Sequence, residues 1–490
     1  MARRVEIEPQ TTLEQHAEYV HLAPLVEELR AEARPFAQAM RGRAIWMINS
    51  TAKGGGVSEM LPGLIGHLRE LGVRAEWVVI ESDDDAFFQL TKRIHNMIHG
   101  EGEAGLSAED RSLLEKVNRA NADDLRDEIR REDLVIVHDP QPMPIAGMLA
   151  ATDVTTVWRC HIGLDSGNAA TADAWRFLQP YAAAYDHAVF SAPEYVPAFF
   201  EGRSSIIYPA LDPLTAKNRR LDVQSVVAVL VRAGLLHAPG PGAAAPFDPV
   251  HRIQPDGSWQ VALRPDDIGL LTRPIIMQVS RWDRLKGFLP LMRGFAEFKQ
   301  RLRAEPAADA VSERLRLSRL VLAGPDAESI ADDPEGVGVL EELRESYLGC
   351  DADVRSDIAI LALPMRDPTV NALIVNALQR VSTIAVQNSL REGFGLTITE
   401  AMWKGLPVLS NSKACGPRQQ VRDGVDGRLI GDPEDVDAIA SALDALLRQE
   451  RLDSLGRSAE QRVHAHFLIY SQLRHWIRLL GTLTGAVRAA

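Results

Sequence analysis

The chain is poor in several things that would have named a function class. It has three cysteines in 490 residues, Cys160, Cys350 and Cys415, with neither metal-type nor redox spacing. They suit a reducing, cytoplasmic compartment better than a disulfide framework. No run of about 18 apolar residues occurs, and the start MARRVEIEPQ lacks an apolar core, so neither a membrane span nor an export signal is expected. Positive charge is in deficit, 54 Lys and Arg against 67 Asp and Glu, for a net charge of −13. A binder of nucleic acid or of an anionic membrane is disfavoured, although a local basic pocket is not. HExxH, paired CxxC, a Walker A lysine, a GxSxG elbow and an EF-hand loop are all missing. No metal-ligand cluster is read in the sequence.

What is present is an α/β rhythm. Short apolar runs alternate with amphipathic stretches, the pattern of parallel sheets covered by helices. Strands are predicted at Ala44 to Asn49, Ala75 to Ile80, Leu134 to His138, Val154 to Cys160, Ala188 to Ser191 and Ser205 to Tyr208. A helix is predicted over Val57 to Leu71, and helical sequence fills much of Asp85 to Arg131. The rhythm fails between Leu221 and Asp267, around the loop-like PGPGAAAPFDP, with a helix at about Val223 to Leu236. It restarts at Pro274 to Val279 and continues through Leu317 to Ala323, Ile358 to Leu363, Thr383 to Gln387 and Pro407 to Ser410. The expected layout is a Rossmann-like domain over 1–220 and an insertion or linker over 221–267. A second Rossmann-like domain over 268–460 and C-terminal helices over 461–490 follow, the latter open to packing back on the first domain. Two doubly wound domains facing a central cleft is the expected architecture.

Polar segments fall just after the predicted strands, where ligands of open parallel sheets sit. In Arg391-Glu392-Gly393-Phe394-Gly395-Leu396-Thr397-Ile398-Thr399-Glu400 two glycines lead into a helix, so backbone amides and a helix N-terminus can meet an anion. Glu392 and Glu400 bracket that loop and suit sugar or ribose hydroxyls better than phosphate. Arg281 and Lys286, also between a strand and a helix, combine a planar fork with a point charge that could neutralise a departing diphosphate. A solvated basic turn is the plain alternative. Gly54, Gly55 and Gly56 follow the first strand without the dinucleotide fingerprint spacing; ligand contact and a tight turn with close helix packing are both open. His161 ends a strand and can face a sugar hydroxyl or stand as a structural histidine. His138, Asp139 and Gln141 form a proline-fixed strand end that could hold a second sugar or simply turn. Glu81 and Lys92 are weaker candidates for the same sugar.

On these residues the chain resembles the retaining GT-B glycosyltransferases of the glycogen-synthase and sucrose-synthase kind, whose E-x7-E motif Glu392 and Glu400 match. Within that group it is most similar to trehalose glycosyltransferring synthases. The likeness rests on Asn49-Ser50-Thr51 with GGGVSEM, Phe87 to Asn96, His138 to Pro142, Trp158 to Gly163, Pro209 to Leu214 with Lys217-Asn218, the Arg281–Lys286 loop and REGFGLTITEAMWKG. Fungal-type trehalose phosphorylases are similar in the same segments. The resemblance implies that Arg281 and Lys286 hold a donor diphosphate and Glu400 the ribose. It implies that Glu392 with Gly393, Phe394 and Gly395 holds the glucosyl group and phosphate. His161 would face the donor sugar, and Gly54 to Gly56 would close over the reaction centre. His161, Arg281, Lys286 and Glu392 are the expected catalytic set; Glu81, Lys92, His138, Asp139 and Gln141 are expected on the acceptor side. The implied substrates are UDP- or ADP-glucose with glucose, or trehalose in reverse. No tightly bound cofactor is implied; a loosely held Mg²⁺ on the diphosphate and a homodimer remain open. Ser410 to Arg418 departs from the glycine pair that many relatives carry.

Overall fold

The computed structural model describes all residues except 1, 9, 53–55, 150–153, 238–245, 263–267, 305–308, 327–333 and 487–490. The chain divides into two compact units, Met1–Asp212 with His466–Ala490, and Pro213–Ala465. No described helix is long and apolar enough to cross a membrane.

The first unit is built on strands β1 (Arg3–Val5), β2 (Ala44–Asn49), β3 (Arg74–Val79), β4 (Leu134–His138), β5 (Thr155–Cys160), β6 (His187–Phe190) and β7 (Ser204–Ile206). Their order is β1-β3-β2-β4-β5-β6-β7, parallel except for the antiparallel edge strand β1. β2 reads AIWMIN and is buried at every position, as expected of a central parallel strand covered on both faces. The chain winds outward from β2 to β3, then returns to place β4 on the other side of β2. The ends of β2 and β4 therefore flank a topological switch point, the usual ligand crevice of an open α/β sheet.

The region expected to be helical from Asp85 to Arg131 contains two helices, Asp85–Ile98 and Ala108–Leu125. The second opens on a capping box in which Ser107 and Asp110 satisfy each other's amides. The last helix, Ile469–Leu483, buries Leu473, Trp476, Ile477 and Leu480 within this first unit. Main-chain bonds from Leu211 N to Phe467 O and from Ile469 N to Leu211 O, both 2.9 Å, tie the two segments at the unit boundary together.

The second unit carries β8 (His251–Ile253), β9 (Trp259–Val261), β10 (Ile275–Val279), β11 (Arg319–Pro325), β12 (Ile358–Leu363), β13 (Ile384–Val386), β14 (Val408–Asn411) and β15 (Gly427–Ile430). The order is β15-β14-β13-β10-β11-β12-β8-β9. Alternation along each strand feeds two cores: Leu320 and Leu322 of β11 enter one, Val321 and Ala323 the other. Here the switch point lies between β10 and β13. The stretch expected as linker or insertion belongs to this unit. Its helix Val223–Arg232 buries Val226, Val229 and Leu230, and its antiparallel hairpin β8–β9 covers the edge of β12. Strands of three residues are too short to show a period, which is why the sequence rhythm is lost there.

Candidate functional site

The loop after β10 and the loop after β13 meet at the second unit's switch point and are locked by buried amides. Gln278 donates to the Lys286 carbonyl at 2.7 Å and accepts from the Asn388 amide at 3.0 Å. Asn388 donates to the carbonyls of Gly287, at 3.2 Å, and Pro433, at 2.8 Å. Gly287 is left-handed at φ 64°, and a Cβ there would stand 2.1 Å from the Asn388 carbonyl oxygen, so only glycine lets the loops close. Closure brings Lys286 Nζ to 2.7 Å from Glu392 Oε2. The Ser389 hydroxyl donates to the same oxygen at 3.0 Å. Behind it, Gln387 donates to Ser389 and accepts from the hydroxyls of Ser280 and Thr397, forming one continuous polar network. Arg281, one residue past this network's Ser280, is exposed and has no ion-pair partner among the described residues.

Gly393, Phe394 and Gly395 lead into the helix Leu396–Trp403. Gly395 is its left-handed N-cap at φ 86°, and a Cβ on it would lie 3.0 Å from Glu392 Cγ. The turn thus folds directly over the Glu392 side chain. From below, Gln420 donates to the Phe394 carbonyl at 2.5 Å, and Gly416 packs where a Cβ would strike the Phe394 backbone. The divergent segment Ser410 to Arg418 still forms a helix, Cys415–Gln420, with Pro417 in its first turn. Glu400 is buried on the Leu396–Trp403 helix, and Lys217 Nζ lies 3.5 Å from its Oε1. Lys404 bonds the Glu400 carbonyl at 3.1 Å, and burial pushes its ammonium down to about 7. The arrangement offers an anion two cations, a helix N-terminus and two carboxylates able to accept hydroxyl hydrogen bonds.

The first unit presents a different cluster at its own switch point. His138 ends β4 and His161 follows β5; the rings stack at 5.5 Å, with His138 Nδ1 3.2 Å from His161 Nε2. Burial, reinforced by the Arg159 charge, lowers His138 to about 3 and takes His161 well below the usual histidine value. Asp139 adopts φ 63°, accepts from the His161 amide at 2.8 Å and is raised to about 6, chiefly by burial. Arg159 is fully buried beneath them, donates to Ser191 at 3.2 Å and is lowered by burial to about 10. Four buried atoms here lack a hydrogen-bond partner among the described residues: His138 Nε2, His161 Nδ1, Arg159 Nη1 and Gln141 Oε1. Such orphans are rare in a finished core and are the atoms a hydroxylated ligand or water could satisfy.

The remaining candidates scatter. Gly56 opens the helix Gly56–Glu70 beyond β2, while Gly54 and Gly55 lie outside the described residues. Glu81 pairs with Arg3 of β1 at 2.7 Å on the surface, and its backbone is held by Asn121. Lys92 is exposed on the helix Asp85–Ile98. Linear reading did not assign roles to Ser389, Gln387, Arg159 or Lys217. Gln387 ends the predicted strand run and Ser389 lies between that run and the Arg391 loop, so their place next to Glu392 was the available signal.

Two family descriptions match the chain: "Trehalose synthase, N-terminal domain" over residues 47–197 and "Glycosyl transferases group 1" over 369–462. The chain is 32% identical over 460 residues to the trehalose synthase of Pyrococcus horikoshii, covering 94% of each. It is 26% identical over 434 residues to the trehalose phosphorylase of Pleurotus pulmonarius, covering 83% of this chain and 52% of that one. Among solved structures, the E. coli trehalose-6-phosphate protein bound with UDP-2-fluoro glucose aligns with a TM-score of 0.62 at 15% identity, covering 91% and 100%. That last likeness establishes the two-domain GT-B fold.

Proposed function

The chain belongs to the trehalose synthase family of glycosyltransferases, and we propose that it transfers an α-glucosyl group from UDP- or ADP-glucose to the anomeric hydroxyl of glucose. The product is α,α-trehalose, the configuration is retained and the reaction is reversible. The observation that carries this reading is the Lys286–Glu392 pair at 2.7 Å under the left-handed turn of Gly395. A cation poised against a carboxylate at a helix entrance is what a sugar joined to a diphosphate requires, with charge for the phosphate and an acceptor for the sugar hydroxyls.

In this reading Arg281 and Lys286 hold the diphosphate, where negative charge grows as the donor's C1–O bond breaks. Glu392 and the amides of Gly393, Phe394 and Gly395 hold the glucosyl group and phosphate. Glu400, with Lys217 beside it, accepts from the ribose hydroxyls. His138, Asp139, His161 and Gln141 bind sugar hydroxyls, His161 on the donor side. Both histidines are kept neutral by burial, so each ring offers one donor and one acceptor. The new bond forms on the face that the leaving group departs, and the acceptor's proton passes to the leaving phosphate oxygen. The enzyme contributes position and charge stabilisation rather than a second catalytic carboxylate. A Mg²⁺ ion carried by the diphosphate would add countercharge there beside Arg281 and Lys286; Lys286 and Ser389 already engage one oxygen of Glu392.

The test is product analysis by NMR after mixing the enzyme with UDP-, ADP- or GDP-glucose and free glucose. α,α-Trehalose is expected; no transfer from any of the three refutes the reading. Likeness to the fungal phosphorylases favours one competitor, phosphorolysis of trehalose. Trehalose with phosphate would then yield glucose 1-phosphate, while trehalose with UDP or ADP would yield no sugar nucleotide.

A further inference from the structure

Three ligand-type side chains that belong to neither cluster converge inside the first unit. His16 comes from the helix Leu13–Ala17, His67 from the last turn of the helix Gly56–Glu70, and Asp212 from the unit's boundary. Their candidate ligand atoms all lie within 4.8 Å of one another. His16 Nε2 stands 3.3 Å from Asp212 Oδ1, and His67 Nε2 stands 3.6 Å from Asp212 Oδ2. Two ligands of a tetrahedral ion bound at about 2.0–2.1 Å are themselves about 3.3 Å apart; the His16 contact matches that spacing, and the two imidazoles face different oxygens of one carboxylate. Both imidazoles are at most 1% exposed. Neither Nε2 makes a hydrogen bond among the described residues, although each faces a carboxylate.

Three groups stand behind the cluster. Tyr470 Oη lies 2.6 Å from His16 Nδ1 and can accept a hydrogen bond from Nδ1–H, the tautomer that leaves the Nε2 lone pair facing inward. Glu70 Oε1 stands 3.9 Å from His67 Nδ1, on the side away from the carboxylate of Asp212. The Thr11 hydroxyl donates to Asp212 Oδ2, which orients the carboxylate. His16 is thereby held through its second nitrogen, as metal-bound histidines commonly are, whereas His67 Nδ1 makes no hydrogen bond among the described residues.

We propose that His16, His67 and Asp212 form a binding site for one Zn²⁺-class divalent ion. Two imidazoles and one carboxylate select a late first-row metal over Mg²⁺ or Ca²⁺, with a fourth position open to water. The ion would join the N-terminal helix, the last turn of the helix that Gly56 begins and the chain at the unit boundary. Its role is structural, holding the helix Gly56–Glu70 in place. The three residues are 51 and 145 positions apart (67 − 16 and 212 − 67), so no linear motif announces the site.

The test uses the full, tag-free chain stripped with a chelator and then given Co²⁺ alone. One equivalent should bind with the visible absorption of a low-coordinate Co²⁺ site, and Zn²⁺ should displace it. At a hundredfold excess over Kd, Zn²⁺ should raise the melting temperature by on the order of 5 °C. His67→Asn and Asp212→Asn should each weaken Co²⁺ binding at least tenfold. Absence of that spectrum in the wild-type chain at equimolar Co²⁺ overturns the proposal, whatever the variants do. Unchanged binding in either folded variant overturns it equally, because the ion would then sit elsewhere.

Discussion

At the second unit's switch point opposite charges already face each other: Lys286 meets Glu392, and Lys217 meets Glu400. At the first unit's switch point the ionisable groups are instead driven toward neutrality, with His138 and His161 lowered and Asp139 raised by burial. The contrast teaches how one sheet architecture can hold ionisable groups in two different states, which on the proposed reading suit two tasks. Charges that must meet a changing anion are best stored as pairs that exchange partners, because an unpaired buried ion costs several kcal/mol. Hydrogen bonds to uncharged hydroxyls are better served by neutral groups whose donors and acceptors are fixed.

The sharpest way to break this comparison is Lys286→Ala. Loss of the cation that the proposed reaction sets against growing phosphate charge should lower kcat/KM by about 10³-fold. Initial rates at several donor concentrations, with near-normal values, would remove that lysine from the chemistry.

Gly395→Ala should follow. It forces an L-residue to φ 86° and sets a Cβ 3.0 Å from Glu392 Cγ. A stability loss of about 1–2 kcal/mol by urea unfolding is expected, with a fall in kcat/KM of about tenfold. Wild-type stability would mean that the turn relaxes and does not position Glu392.

The first unit's neutral cluster predicts a pH signature. His138 titrates at about 3 when folded and near 6.5 when not. As pH falls below about 6.5 the unfolded chain takes a proton that the folded chain refuses, so stability drops towards pH 3. Asp139, raised from 3.8 to about 6, acts in the opposite sense: between those values the folded form is the one protonated. Asp139→Asn should therefore steepen the acid loss between pH 6 and 4, and His138→Asn should flatten it. Urea midpoints at pH 7, 5.5 and 4.5 that shift in parallel for both variants would erase the contrast.

Glu81→Gln and Lys92→Ala should matter least. Glu81 is spent on an exposed pair with Arg3, and exposed pairs are worth about 0–1 kcal/mol. Acceptor KM within about threefold of wild type is expected; a larger rise would return Glu81 or Lys92 to the acceptor side.

Much of the fold was legible because helix and strand periods are local. β2 and β4 fall at Ala44–Asn49 and Leu134–His138, as their apolar runs predict. β1, β15 and the β8–β9 hairpin were not legible: three or four residues at a sheet margin carry too little alternation to separate from loop. In the candidate site, the Arg281–Lys286 loop and the Glu392–Glu400 loop were visible as strand–turn–helix punctuation. That Glu81 would be turned to Arg3 on an edge strand was not.

The sequence by itself determined two doubly wound α/β domains, the glycine-led helix entrance at Gly395 and the residue types gathered at the strand ends. Those properties depend on neighbours a few positions away. Only the tertiary structure decided that Lys286 meets Glu392 across 106 residues, that Lys217 lies against Glu400, and that His16, His67 and Asp212 share one interior point. Partnership and protonation are set by which distant segments close on each other and how much water they exclude, and neither quantity is written in any local stretch of the chain.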